Sequence, residues 1–266
     1  MVVPTLDSFR LLPPLVDSLR RQRHPRWRVL FIDGPSGADH RAWLEGLCCA
    51  DPRFSWQPQD PRRPGIFGAM NQGFAAVGSD EWLLFWGSDD RAAGPEALDR
   101  AAGEIRSGTV DLLVCTGRYL RPAAGGGGER PDRPTRFSCP AAARGRTMRR
   151  ALFLGTTPPH QATVIGPGAR SLLDRYDEDF RLSADLDYFL RISRFPGLRL
   201  RRCDLELVHM ATGGVSGVQH RRRLAEVRRA YRRAFGWWWP FPFLMRYVRR
   251  MLSLLEIRPL TRRPAP

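Results

Sequence analysis

The stretch from Gly65 to Asp90, GIFGAMNQGFAAVGSDEWLLFWGSDD, decides the fold. Ile66, Met70, Phe74 and Val77 recur at helical spacing, with the small Ala69 and Gly73 between them. Trp82-Leu83-Leu84-Phe85-Trp86 then runs apolar without a break and stops at Gly87-Ser88-Asp89-Asp90. Such a run predicts a strand buried on both faces, as in a parallel sheet. The carboxyl end of that strand is where open α/β sheets place their ligands. Two carboxylates there can hold a hard divalent cation, and the cation can hold a diphosphate. An acidic pair also fits a solvated turn, or a helix start before Pro95.

Outward from this stretch the same alternation continues. On the N-terminal side, Val2-Val3-Pro4-Thr5 reads as the end of a first strand. Pro13 and Pro14 suit a first helical turn, followed by the apolar face of Leu12, Leu15, Val16 and Leu19. Arg28 to Ile32 reads as a second buried strand ending at Asp33-Gly34, Ala42 to Cys49 as a helix, and Phe54 to Trp56 as a short strand. On the C-terminal side, a helix from Pro95 through Ile105 and a strand from Val110 to Cys115 follow. Strands alternating with helices predict an α/β fold with a doubly wound, mainly parallel sheet flanked by helices.

Residues 121–146, with Gly125 to Gly128 and Pro122, Pro131 and Pro134, show no core-forming period and are expected to form a flexible loop. His160 to Ile165 reads as a strand and Pro167 to Tyr176 as a helix. In Ser183-Ala184-Asp185-Leu186-Asp187 the serine is a candidate N-cap, with Leu186, Phe189, Leu190 and Ile192 facing inward. Asp185 and Asp187 also fit the plain role of first-turn acids favoured by the helix dipole. Leu198 to Arg202 and Leu205 to His209 are expected as edge strands.

The formal net charge of +16 comes entirely from Arg, since none of the 43 basic residues is Lys. It predicts attraction to phosphates and to anionic membrane surfaces. Between Gly217 and Pro266 stand 13 Arg against only Glu226 and Glu256, beside the cluster Trp237-Trp238-Trp239-Pro240-Phe241. That composition fits either an interfacial membrane anchor or a helical hairpin packed on the sheet with solvated Arg. Two units are expected: 1–216, catalytic, and 217–266, a basic Trp-rich helical extension. The five Cys have neither metal spacing nor an even count, and Met1 leads straight into Val2-Val3-Pro4 without a signal-peptide pattern. A reducing cytoplasm is the expected compartment, with the inner face of the plasma membrane as a peripheral station.

Seven segments, in the same order, resemble the family-two glycosyltransferases of GT-A fold, in particular the bacterial cell-surface polysaccharide group. They are Val3-Pro4-Thr5, Ile32-Asp33-Gly34-Pro35-Ser36, Gly65 to Gly73, Gly87-Ser88-Asp89-Asp90, Pro159-His160-Gln161, Ser183 to Asp187, and Gly213-Gly214-Val215-Ser216. The fourth is similar to the family's metal-binding DXD motif. The resemblance covers roughly residues 2 to 235. Where the family often has a second acid after the second strand, this chain has Gly34, and Gly68 replaces an acid in the central helix.

The resemblance implies an inverting transfer of a sugar from a nucleotide diphosphate to a glycan or lipid-linked acceptor, with a UDP-sugar as the favoured donor. Asp90 would hold Mn²⁺ or Mg²⁺, with His209 as an extra ligand, although a lone His in such a stretch is more often a packed strand residue. Thr5, Asp33, Asn71 and Asp89 would bind the nucleotide sugar. Asp185 would be the general base, with Asp187 as the alternative, and His160 and Gln161 would line the acceptor pocket. Two other readings stand beside it: a catalytically degenerate glycosyltransferase-like subunit, and a basic nucleic-acid-binding protein. The Arg excess is concentrated in the tail and no RRM, zinc-finger or helix-turn-helix pattern occurs, so nucleic acid is not an expected partner.

Overall fold

The computed structural model describes residues 1–122, 129–135, 137–212 and 219–255. The sheet is continuous through the 82–86 segment. Strands β1 (Val2–Thr5), β2 (Val29–Asp33) and β3 (Phe54–Pro58) run parallel in the order β1-β2-β3. On the free side of β1, Val2 donates its N–H to Leu84 O (2.9 Å) and accepts from Trp86 N–H (3.2 Å). On the other side of the segment, Leu83 and Ile165 exchange two backbone hydrogen bonds of 2.8 Å. Ile165 ends β8 (Thr163–Ile165), which pairs antiparallel with β5 (Leu112–Pro122), and β5 lies parallel to β9 (Arg199–Ala211). The sheet is therefore mixed rather than mainly parallel.

Alternate residues of the central segment feed two cores. Leu83 and Phe85 pack with Phe67, Met70 and Phe74 of α3 (Ile66–Ala76). Leu84 and Trp86 pack on the opposite face with Phe31, and with Leu12, Leu15 and Leu19 of α1 (Leu12–Arg20). Leu44 and Leu47 of α2 (Ala38–Ala50) and Ala97 and Ala101 of α4 (Ala97–Arg106) share that second face. Trp86 is fully buried, and each such side chain contributes about 1.5–3 kcal/mol. At Gly73 a Cβ would stand 2.6 Å from Val2 Cγ1, so only glycine lets α3 lie this close to β1.

Long-range pairing overrides several local expectations. Residues 121–146 are not one loop: β6 (Glu129–Pro134) pairs with the end of β5, and β7 (Ala142–Arg144) pairs with β9. Gly125 to Gly128 lie outside the described residues, as do Gly213 to Ser216. The two expected edge strands are one strand, β9, with β5 on one side and β4 (Arg91–Ala92) and β7 on the other. His160–Ala162 is a 3-10 turn, and only Thr163–Ile165 is strand. Helix α6 (Pro167–Leu172) stops early, because Tyr176 is drawn off to Asn71.

Helix α8 (His220–Phe235) shares the core of the preceding chain, with Val227, Ala230 and Tyr231 buried among α7 (Ala184–Ile192) and α5 (Gly145–Phe153). Its Glu226, also buried, accepts N–H bonds from Arg181 (3.0 Å), Leu182 (2.8 Å) and Ser183 (2.9 Å). Ser183 occupies the N-cap position of α7, but its hydroxyl makes no capping bond. The cap is thus a carboxylate from another helix, favoured by the α7 dipole. Glu226→Ala strands those donors and should lower stability by about 2–3 kcal/mol in denaturant unfolding.

Candidate active site

The carboxyl ends of β1, β2 and the 82–86 segment are stitched into one rim. Thr5 Oγ1 donates to Asp33 Oδ1 (2.9 Å), Ser36 Oγ donates to the same oxygen (2.7 Å), and His40 Nε2 lies 3.0 Å from it. Asp33 is buried, and its Oδ2 has no hydrogen-bond partner among the described residues; Arg41 Nε is 3.8 Å away. Asp7, at φ 45°, accepts from Gly37 N–H (2.7 Å) and donates its own N–H to Ser36 Oγ (2.9 Å). The Ser8 and Ser88 hydroxyls share a bond of 2.8 Å, which ties the first loop to the acidic turn.

In that turn, Asp90 is 3% exposed and accepts the Gly87 N–H (2.6 Å). Burial pushes its pKa up to about 8; the Gly87 N–H opposes the rise and the Asp89 charge adds to it. Both carboxylates converge over Gly87, where a Cβ would meet Asp89 Oδ1 at 2.9 Å and Asp90 Oδ2 at 3.4 Å. Two converging acid groups with oxygen-only donors suit Mg²⁺ or Mn²⁺, whose remaining positions go to water and phosphate. His209 lies across from Arg91 in the β4–β9 pair, next to the acidic turn. Among the described residues no three His, Cys, Asp or Glu side chains are grouped to hold a metal, and His209 Nε2 lies 2.6 Å from Glu206 Oε1.

Asp185 is half-buried in the first turn of α7. Its charge acts on His160, Tyr176 and Tyr119. His160 stacks on Phe85 (5.8 Å between centroids) and shares a 2.7 Å hydrogen bond with the Tyr176 hydroxyl. Burial lowers the His160 pKa against the pull of Asp185, which favours the neutral ring at pH 7. Gln161 contributes its backbone, accepting from Trp86 Nε1 (2.9 Å). Tyr119 lies on β5. Burial around its hydroxyl raises its pKa, then Asp90 and Asp185 raise it further, while Arg223 and Arg250 oppose them. Both acids therefore lie near enough to this hydroxyl for their charges to reach it.

Two of the expected site residues are committed elsewhere. Asp187 is 1% exposed and paired with Arg191 (2.6 Å) and Arg233 (3.6 Å), so it is a structural ion-pair member and not a base. Asn71 spends its amide on the 176–178 turn: Nδ2 donates to Tyr176 O (3.0 Å) and Glu178 Oε1 (2.8 Å), and Oδ1 accepts from Tyr176 N–H (2.7 Å). It shapes the wall behind His160 and has no donor left for a nucleotide sugar. Tyr119, Tyr176, Ser8 and Glu226 carry no local signature, since their partners lie far away in sequence.

The sequence pattern described as Glycosyl transferase family 2 matches residues 1–177. A Mycobacterium tuberculosis relative, described as an uncharacterized glycosyltransferase, is 33% identical over 178 residues, covering 66% of this chain and 61% of the relative. A PGL/p-HBAD biosynthesis glycosyltransferase of Mycobacterium bovis is 26% identical over 201 residues, covering 76% and 72%. Among solved structures, S. aureus TarS 1-349 in complex with UDP-GlcNAc is similar, with a TM-score of 0.66 at 16% identity, over 97% of this chain and 75% of that one. Glucosyl-3-phosphoglycerate synthase from Mycobacterium tuberculosis, in complex with Mn²⁺ and UDP, has a TM-score of 0.58 at 15% identity, over 88% and 78%.

Proposed function

The chain belongs to glycosyl transferase family 2 and has the GT-A fold, and from that premise we propose that it moves a sugar from a nucleotide diphosphate to a hydroxyl of a saccharide acceptor, with inversion. The observation that carries this reading is that Thr5, Asp33, Ser8 and the Asp89-Asp90 turn meet at one rim of the sheet, with Asp185 near enough for its charge to reach the Tyr119 hydroxyl that Asp90 also reaches. A single displacement needs the leaving diphosphate and the attacking hydroxyl on opposite sides of the anomeric carbon, with an acid-stabilised side and a basic side.

Asp185 is the proposed base. It takes the proton of the acceptor hydroxyl as that oxygen bonds to the anomeric carbon and the bond to the diphosphate breaks. Asp90, with Asp89, would hold a divalent Mn²⁺ or Mg²⁺, which supplies charge neutralisation for the leaving diphosphate. Neutral His160, held by Tyr176 and Phe85, lines the acceptor side next to Asp185 without competing for its proton. Thr5 and Asp33 close the nucleotide end, where Asp33 Oδ2 is the open acceptor. UDP is the nucleotide we propose first, because two similar folds hold it, and a glycan or lipid-linked glycan is the acceptor class.

A thermal-shift panel of UDP-, GDP- and dTDP-sugars with Mn²⁺ tests the reading. Binding to the folded state at a hundredfold excess over Kd adds about 2.7 kcal/mol of stability. The expected result is a metal-dependent rise in Tm with a UDP-sugar. No shift with any nucleotide sugar would overturn the assignment.

A further inference from the structure

The last two helices carry an exposed surface that the transfer chemistry leaves unused. Helix α9 (Pro240–Leu255) has Phe241, Leu244, Val248, Met251 and Leu252 open to solvent. Their spacing of i, i+3, i+7, i+10 and i+11 puts them on one side of the helix. The turn before it holds Trp237, 98% exposed, and Trp238, 72% exposed. The helix is not loose: Arg246 bonds Thr157 Oγ1 (2.5 Å), and Trp239 and Phe243 pack against the core. Its apolar side is therefore held outward by contacts on its inner side.

Charge identifies the occupant. Residues Pro240–Leu255 include no acid, and the one acid of α8, Glu226, is buried at the start of α7. Arg221 and Arg232 on α8 are exposed and have no carboxylate partner among the described residues. Nearly bare indoles beside unopposed Arg and a one-sided apolar helix match the headgroup layer of an anionic bilayer: indole at the interface, Arg at phosphate, aliphatic groups below. A protein partner would need a dense acidic patch around an apolar core, and two copies of this face would repel each other. No helix among the described residues is long and apolar enough to cross a bilayer, so the contact lies along the surface.

We propose that the face formed by α9, the Trp237-Trp238 turn and the exposed Arg of α8 docks peripherally on anionic phospholipid, and that this seats the cleft at the membrane to receive an acceptor carried by a lipid. The second half rests on the transferase reading. The candidate site adjoins this face, since Glu226 of α8 accepts the N–H of Ser183 (2.9 Å), two residues before Asp185.

The test uses the full chain and sedimentation with vesicles of phosphatidylcholine containing about 30% phosphatidylglycerol, against phosphatidylcholine alone. The expected result is binding at least tenfold tighter to the anionic vesicles, weakened by salt. Trp237→Ser with Trp238→Ser should weaken it at least tenfold, with circular dichroism unchanged because both indoles are solvent-exposed. Arg221→Ser with Arg232→Ser should weaken it about 30-fold, at about 1 kcal/mol for each Arg. Lack of binding, equal binding to neutral vesicles, or indifference to both double variants overturns the docking. So does self-association that the Trp variant abolishes without any vesicle binding, which would make the face a protein interface. The nucleotide-sugar thermal shift, read without vesicles, reports separately on the transferase reading.

Discussion

Asp90→Asn should abolish transfer and, in the metal-free protein, raise thermal stability at neutral pH. Both effects follow from one buried carboxyl. In the folded, metal-free chain its pKa stands at about 8, against an ordinary value of 3.8. Between about pH 4 and 8 the folded state thus holds a proton that the unfolded chain has released. Its contribution to stability falls as pH rises through that window, by up to about 1.4 kcal/mol per pH unit. Asparagine cannot ionise and can still accept the Gly87 N–H, so the Tm gain of the variant over the parent should widen from pH 5 to pH 8. The same proton competes with a cation. Mn²⁺ affinity of the parent should rise about tenfold per pH unit below about pH 8 and then level off. Lost charge neutralisation at the diphosphate is worth several kcal/mol, so kcat should fall by at least about 10³-fold. Unchanged Mn²⁺ affinity in Asp90→Asn, by titration calorimetry, would remove this residue from the metal site.

Asp185→Asn should lower kcat by about 10²–10⁴-fold, the usual range for a lost general base, while leaving donor binding within about twofold of the parent. The two variants therefore separate: Asp90→Asn loses the metal-dependent thermal shift with a nucleotide sugar, and Asp185→Asn keeps it. The fold should persist, because Asp185 is half-buried and the turn leading into its helix is held by Glu226 through the N–H groups of Arg181, Leu182 and Ser183. Asp187→Asn should behave in the opposite way. It breaks the ion pairs with Arg191 and Arg233 and acts on stability rather than on turnover. Retained turnover in purified Asp185→Asn protein would exclude it as the base.

The α/β class, the central segment and the acidic turn were legible from residue order, because they are written in local patterns. An apolar run of five residues buries both faces wherever it lies, and a turn must follow where it stops. The segments that resemble the family were local as well, and Thr5, Asp33 and the 87–90 turn among them fall together at one rim of the sheet. The hairpin within residues 121–146 and the length of β9 were not legible. Gly and Pro hide the strand period of the hairpin, although its two strands are neighbours in sequence, and the partners of β9 lie far along the chain.

The roles of single polar residues required the tertiary structure. Asp185 and Asp187 are two residues apart on a helix and so point about 200° apart around its axis. Order along the chain does not say which of them meets the cleft and which meets Arg191. Asn71 stands in a resembling segment, yet its amide is consumed by a turn more than a hundred residues away. Glu226, in a stretch that composition marks only as basic, holds the helix that carries Asp185. Burial pattern and turn chemistry are properties of neighbours in sequence. Whether a carboxylate is free to act depends on which distant donors reach it first, and only the packed structure determines that.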